Sequence, residues 1–156
     1  MIMLQIGDKE RQYVIDTRVI DVTPLKQILE DEKIIKIFHN AKFDYKFIKR
    51  WANIDVQGIY DTYLMERVIN CGKQDYGYSL ARCVDRYLGI NLDKTTRSKF
   101  IGLTGQPFTV DQITYGSKDV IYLLDIREKQ LPSLHTHKLE QVARLENEVV
   151  KVFAEI

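Results

Sequence analysis

The sequence has little of what would assign it to several large classes of protein. Only two of its 156 residues are cysteine, so it has no disulfide framework like those of small secreted domains. The formal net charge is +1, which gives no overall attraction to nucleic acid. No apolar run approaches the roughly 18 residues that a membrane-spanning helix needs. These absences predict a cytoplasmic protein with reduced thiols and no membrane segment.

What remains is the composition of one globular domain. An apolar fraction of 45% and a charged fraction of 29% suit a chain with a single hydrophobic core, so residues 1–156 are predicted to form one domain. An apolar strand begins at once with Met1, and the last predicted helix reaches Ile156 with no Gly or Asn cap. We therefore expect a segment of a longer chain, truncated at both ends.

Short β-branched segments alternate with amphipathic ones, which predicts an α/β fold. Two apolar runs on either side of Gly7 predict a β-hairpin, and further strands are predicted over 33–38 and within 54–60. The polar stretch 91–107 predicts an irregular connection. Helices are predicted over 23–30, 42–51, from 61 onward, over 79–89, over 109–130 after a capping box at Thr109, and over 139–156 beyond Pro132.

Two acidic residues lie where the predicted fold would bring their side chains to one shared cleft. Asp44 lies just past a predicted strand end, in the first turn of the next helix, and Asp119 follows Tyr115 by one helical turn on the same face. Carboxylates are ligands that Mg²⁺ and Mn²⁺ prefer, and a phenol one turn away can orient a metal-bound water. Each residue alone has an ordinary alternative, since Asp44 can favour the helix dipole and Tyr115 can be packing.

Taken together, these motifs resemble a known family. His-Asn-Ala-Lys-Phe-Asp, ending at Asp44, is followed 75 positions later by the Asp of Tyr-x-x-x-Asp, at Asp119. This pair resembles the DEDD-type 3′–5′ exonucleases, in the branch shared by the proofreading domains of family A DNA polymerases and by RNase D. The resemblance extends over nearly the whole chain through Asp61-Thr62, Tyr78-Ser79-Leu80, Tyr87-Leu88-Gly89 and Leu92-Asp93-Lys94.

The resemblance implies a ribonuclease H-like fold, with a mixed sheet flanked by helices, and two divalent cations, Mg²⁺ or Mn²⁺. It implies that Asp44 and Asp119 are metal ligands in the catalytic set and that Tyr115 positions the attacking water.

It also implies a set of contacts with nucleic acid. Asn40 and Phe43 would line the cleft near the terminal nucleotides, and Lys94 would contact a phosphate, with a solvated loop lysine as the equal alternative. Asp61 matches a recurrent position of the family, where we expect it to stabilise a turn and a helix start.

One motif of the family is missing from this sequence. The family carries Asp-x-Glu on a strand that precedes the one resembling 3–6, and no acid before residue 33 lies on such a strand. We therefore expect a fold that lacks its first central strand, between the hairpin and the strand ending at Phe38. Two carboxylates leave much of the charge of two dications uncompensated, so weak binding of a single metal is predicted.

Three hypotheses follow from these residues. The first is a proofreading-type exonuclease domain that acts on the 3′ end of single-stranded DNA, with a polymerase domain C-terminal to it and with activity impaired by the missing motif. An RNA substrate, as for RNase D, is an alternative. The second is a non-catalytic module that binds nucleic acid or has a structural role, and the third is a split enzyme whose first motif comes from another chain.

Overall fold

A computed structural model describes residues 3–92 and 105–155. Strands β1 (Met3–Gly7) and β2 (Gln12–Asp16) form an antiparallel hairpin, and strands β3 (Lys36–Phe38) and β4 (Ile59–Asp61) pair in parallel. The Asp8 carboxylate closes the hairpin turn by accepting two backbone N–H groups at 2.8 Å. The predicted hairpin and the α/β class are confirmed, whereas β3 and β4 are shorter than predicted.

The four strands form two separate pairs. Within the described ranges no ladder joins the hairpin to the β3–β4 pair, in keeping with the expectation that a central strand is lacking between them. Leu4 of β1 and Phe38 of β3 nevertheless pack against the same core cluster, which includes Tyr45 and Ile48. One hydrophobic core therefore holds both pairs of strands even though no backbone hydrogen bond connects them.

Amphipathic helices cover these strands, as the spacing of the apolar residues predicted. A 3₁₀ turn at Thr23–Leu25 precedes the first of them. The helices are α1 (Lys26–Leu29), α2 (Ala41–Ala52), α3 (Thr62–Ile69), α4 (Leu80–Leu88), α5 (Val110–Ile121), α6 (Leu123–Thr136) and α7 (Glu140–Glu155). None of the helices described is long and apolar enough to cross a membrane. Both cysteines, Cys71 and Cys83, are free thiols.

Local capping signals placed several helix ends correctly. Thr109 and Gln112 form the predicted capping box at the start of α5, with each side chain bonded to the other residue's backbone N–H. Ser79 caps α4, and Gly89 ends it in the left-handed conformation at φ 68°. Thr23 does not cap the helix predicted to start there: it is the first residue of the 3₁₀ turn, with Val22 before it, and its hydroxyl donates to the Asp21 carboxylate.

The long helix predicted over 109–130 is wrong as a single element. It breaks at Tyr122, because α5 packs on the hairpin whereas α6 packs on α3 and α4, so the two must run in different directions. Pro132 was expected to separate two helices but lies inside α6. The tertiary contacts of α6 offset the backbone hydrogen bond that a proline cannot donate.

Helix α5 approaches the hairpin closely at Gly116. A Cβ added there would lie 2.9 Å from the Met3 Sδ and 3.5 Å from the Gln5 Cγ, so a larger residue would have to displace the Met3 side chain or the helix. This contact determines where the face of α5 that carries Tyr115 and Asp119 lies relative to the core.

A buried polar cluster joins α3, α4 and α6. Glu66 is fully buried, and its carboxylate binds the Arg86 guanidinium at 2.7 Å, the Tyr87 hydroxyl at 2.6 Å and the Gln130 side-chain amide at 2.9 Å. A buried carboxylate is tolerated when its lone pairs are all satisfied, and here two other helices, α4 and α6, supply the three donors.

We expect Arg86→Met to lower the free energy of unfolding by about 3 kcal/mol, because it leaves the buried Glu66 carboxylate without its cation. Urea unfolding followed by circular dichroism measures the change. Arg144→Met is the matched control: it breaks an exposed ion pair with Glu148 and should cost less than about 0.5 kcal/mol. Equal losses in the two variants would contradict the assigned role of the buried cluster.

Candidate active site

The turn between β3 and α2 is held by one carboxylate. Asn40, the residue before α2, has a left-handed backbone with φ 70° and ψ 54°, a conformation that asparagine tolerates better than most residues. Asp61, at the end of the paired strand β4, accepts the backbone N–H groups of Asn40 and Ala41, each at 2.8 Å. The turn is therefore fixed from the neighbouring strand rather than by a cap of its own.

Asp61 also begins α3, as the sequence predicted for it. Its carboxylate accepts the backbone N–H of Tyr63 at 2.9 Å and that of Leu64 at 3.4 Å. Burial raises the pKa of this carboxyl, and the four N–H donors oppose that rise. Because both of its oxygens serve backbone N–H groups, Asp61 acts as a structural support rather than as a metal ligand.

Asp44 lies one turn into α2. Burial raises the pKa of its carboxyl to about 6, and the carboxylates of Asp61 and, less strongly, Asp119 act in the same direction. Solvent still reaches the residue, so a cation could approach it. The site therefore concentrates negative charge at a point that remains open to an incoming ligand.

The second half of the site lies on α5. Tyr115 and Asp119 are one turn apart on one face of this helix, and both are partly buried. The effect of Asp119 on the pKa of Asp44 places the two carboxylates within electrostatic reach of each other. The fold thus brings together three of the residues that the sequence selected: Asp44, Tyr115 and Asp119.

The donor set suits one divalent cation better than two. Among residues 3–92 and 105–155 no three His, Cys, Asp or Glu side chains are grouped so that they could hold a metal ion. Asp44 and Asp119 are hard oxygen donors of the kind that Mg²⁺ and Mn²⁺ bind. Two carboxylates balance the charge of one dication, and the weak, single-metal binding expected from the sequence stays a prediction.

The structure describes two of the three residues that were expected to contact nucleic acid. Phe43 is 60% exposed beside Asp44, and the Asn40 side chain makes no hydrogen bond within the part of the chain that the structure describes. Both are therefore available to a ligand at the start of α2. Lys94 lies outside the described residues.

His39, which precedes this turn, is a hydrogen-bonding residue of the strand end, as expected. Its Nδ1 lies 2.9 Å from the Thr62 hydroxyl, which itself donates to the Phe38 carbonyl. Burial lowers the pKa of His39 to about 4, partly opposed by the Tyr78 backbone carbonyl, so the ring is neutral near pH 7.

One supporting residue escaped the sequence analysis. Asn147 of α7 accepts the backbone N–H of Asp61 through its Oδ1 at 2.7 Å, and its amide donates to the Ala143 carbonyl. An asparagine in the middle of a helix has no local signal for such a role, because its partner lies 86 positions away in the sequence.

Comparisons with known proteins agree with this geometry. Residues 1–135 match the family described as 3′–5′ exonuclease. The chain is 30% identical to ribonuclease D of Sphingobium indicum over 85% of its length and 34% of the relative's. It is 29% identical to DNA polymerase I of Aquifex aeolicus over 97% of its length and 25% of the relative's. The chain therefore spans about a third and a quarter of the length of these two relatives.

Solved structures of related nucleases share this fold. The crystal structure of Escherichia coli RNase D, described as an exoribonuclease involved in structured RNA processing, superposes with a TM-score of 0.87 at 26% identity, covering 99% of this chain and 40% of that one. Brucella melitensis NrnC with bound Mg²⁺ superposes with a TM-score of 0.84 at 17% identity, covering 98% and 74%. Members of this family use divalent metals, and the predicted ribonuclease H-like fold is confirmed.

The raised pKa of Asp44 leads to a prediction about stability. Between about pH 4 and 6 the folded protein holds this proton more tightly than the unfolded chain does, since an ordinary aspartate titrates near pH ~4. The contribution of Asp44 to the free energy of unfolding is therefore present at low pH and is lost as the pH rises through 6. As the pH rises from 4 to 7, we expect the free energy of unfolding of Asp44→Asn to increase relative to that of the wild type. Urea unfolding at each pH measures this difference.

Asp125→Asn is the matched control, since Asp125 is exposed on α6 away from the other acids of the site. As the pH rises over this range, Asp44→Asn should gain more stability relative to the wild type than Asp125→Asn does. Equal gains for the two variants would contradict the raised pKa of Asp44.

Proposed function

Since the chain belongs to the 3′–5′ exonuclease family, we propose that it supplies part of a metal-dependent site that hydrolyses the 3′-terminal nucleotide of a single-stranded nucleic acid. The observation that carries this proposal is the meeting of Asp44 and Asp119, which lie on two different helices, in one electrostatic cluster. Tyr115, one turn from Asp119, adds a hydroxyl next to the carboxylate that would hold the cation.

Each residue has a separate task in the proposed reaction. Asp44 and Asp119 would hold the divalent cation, which when bound stabilises negative charge on the phosphate and makes water more acidic. The Tyr115 hydroxyl would orient the attacking water, while Asn40 and Phe43 would contact the terminal nucleotides. The water oxygen bonds to phosphorus and the bond to the 3′ oxygen breaks, which leaves a shortened strand with a 3′ hydroxyl and a free nucleoside monophosphate.

Two carboxylates do not balance a second dication, so we propose that further acids come from outside the described residues. The break between the hairpin and the β3–β4 pair supports this idea, since an extended segment there would join β1 to β3 by backbone hydrogen bonds. Acidic residues on such a segment would lie in the middle of the completed sheet, close to the start of α2. Without that segment we expect weak activity or none.

The narrower form of the proposal concerns the substrate. The similarity to DNA polymerase I over nearly the whole chain supports a proofreading role on DNA beside a polymerase domain, and the similarity to several ribonucleases D supports RNA. A cytoplasmic location suits either substrate. In both forms the strand must be single at its 3′ end, because the cleft at Asn40 and Phe43 would contact terminal nucleotides one at a time.

The decisive experiment supplies the missing acids. Strands of DNA and RNA labelled at the 5′ end are incubated with the protein, Mg²⁺ or Mn²⁺ and a synthetic apolar peptide centred on Asp-x-Glu. We expect single-nucleotide shortening from the 3′ end that is stimulated by this peptide and not by its Asn-x-Gln counterpart. Asp119→Asn should lower the rate by on the order of 10²–10³-fold, since it removes charge stabilisation at the reacting phosphate.

Asp125→Asn is again the matched control and should leave the rate unchanged, because Asp125 lies exposed on another helix. Cleavage that survives Asp119→Asn would overturn the assigned site. Strands that bind without being shortened under any of these conditions would instead identify a non-catalytic module that binds nucleic acid.

A further inference from the structure

Four side chains beside the proposed active site form what we call the aromatic–arginine cluster: Tyr63, Arg67, Tyr76 and Tyr78. The Tyr63 and Tyr78 rings meet edge to face with centroids 6.1 Å apart, and Tyr76 lies against Tyr78 at 5.7 Å. The Arg67 guanidinium lies 5.8 Å from the Tyr63 ring centroid and 5.4 Å from that of Tyr78. One cation thus lies beside two aromatic rings.

The cluster adjoins the turn that carries the proposed active site. Tyr63 stands in the first turn of α3, two residues after Asp61, which fixes the backbone of Asn40. The His39 ring, directly before Asn40, meets Tyr63 edge to face at 5.8 Å. A strand whose 3′ end contacts Asn40 would therefore have this cluster beside its preceding nucleotides.

Glu146 attracts the Arg67 charge from a distance, but no carboxylate among the described residues forms a direct ion pair with it. Arg67 is exposed, donates to the Tyr63 hydroxyl at 3.2 Å and makes no salt bridge with any residue that the structure describes. Arg86, by contrast, is bound to the buried Glu66 and stacks on Tyr76 at 3.8 Å. One arginine therefore anchors the cluster, while the other is left to bind an anion from solvent.

The rings are held rigidly but are not sealed in the core. Tyr63, Tyr76 and Tyr78 are all partly exposed, and the Tyr78 hydroxyl donates to the Lys73 backbone carbonyl at 2.6 Å. Rings fixed in this way lose little conformational entropy when a ligand packs on them. Partly exposed aromatic rings with an unpaired cation suit a single-stranded nucleic acid, whose bases stack on rings and whose phosphates bind arginine.

We propose that the aromatic–arginine cluster is a platform for the nucleotides that precede the 3′-terminal ones, with Tyr63 and Tyr78 stacking on bases and Arg67 contacting a phosphate. This assignment rests on the proposed function, since the terminal nucleotides must lie at Asn40 and Phe43. The alternative is that the cluster only stabilises the end of α3, in which case its loss would affect folding and not the preference for longer strands.

Strand length separates the two roles. Binding of fluorescein-labelled strands of two and eight nucleotides, in both DNA and RNA, is measured by anisotropy with Ca²⁺ in place of Mg²⁺. The double variant Tyr63→Leu, Tyr78→Leu should bind the eight-nucleotide strands roughly a hundredfold more weakly, because it removes two stacking rings and each stacked base contributes about tenfold. It should bind the two-nucleotide strands about as well as the wild type does. Arg67→Gln should lower the slope of log Kd against log salt concentration by about one.

Matched variants isolate the ring and the charge. Tyr63→Phe with Tyr78→Phe keeps both rings and should bind like the wild type, and so should Tyr13→Leu, which removes an exposed tyrosine from the hairpin. Arg144→Gln removes an exposed arginine from α7 and should leave the salt dependence unchanged. Equal weakening for both strand lengths, or none for either, overturns the platform.

A second measurement applies if the leucine variants fail to fold. Strands carrying 4-thiouridine at the third or fourth position from the 3′ end are photo-crosslinked to the wild-type protein, and peptides containing Tyr63 or Tyr78 should carry the crosslink. Crosslinks confined to other peptides overturn the platform.

The platform and the proposed hydrolysis can fail separately. A wild type that binds the eight-nucleotide strand through these residues but never shortens it defeats the proposed hydrolysis and leaves the platform standing. A wild type that shortens strands while the double leucine variant binds them equally well defeats the platform alone. A wild type that binds neither strand overturns the platform.

Discussion

The carboxylate of Asp61 is the constraint on which the rest of the site depends. It accepts backbone N–H groups from Asn40, Ala41, Tyr63 and Leu64, so a single side chain starts two helices that are distant in sequence. The parallel pairing of β3 with β4 brings it there, because Phe38 and Asp61 are register partners. Helices α2 and α3 therefore start at the same edge of the strand pair, where ligands commonly bind in α/β folds.

This support has an electrostatic consequence. A buried, negatively charged anchor lies close to Asp44, and Asp119 adds a third carboxylate from α5. Burial is the main reason that the pKa of Asp44 lies well above that of an ordinary aspartate, and repulsion by Asp61 and Asp119 adds to it. The same concentration of negative charge would favour a divalent cation bound by Asp44 and Asp119.

The sequence predicted those parts of the fold whose signals are local. The capping box at Thr109, the cap at Ser79 and the hairpin turn need only neighbouring residues, and all three are present. The break at Tyr122 depends instead on what α5 and α6 each pack against. Asn147 likewise contributes through a partner 86 positions away. The motif residues could be found from their spacing and the support at Asp61 from its match to the family, whereas Asn147 and the contacts of the aromatic–arginine cluster required the folded chain.

The division of the strands into two pairs connects the fold with the chemistry. Leu4 and Phe38 reach the same core from opposite pairs, so hydrophobic packing holds the hairpin without a connecting ladder. The hairpin in turn positions α5, because Gly116 lets that helix approach β1 closely. The place of Asp119 relative to Asp44 is therefore set by side-chain packing rather than by a continuous sheet. An extended segment between β1 and β3 would add the backbone bonds that packing alone does not provide, and would bring its own side chains to the same carboxylates.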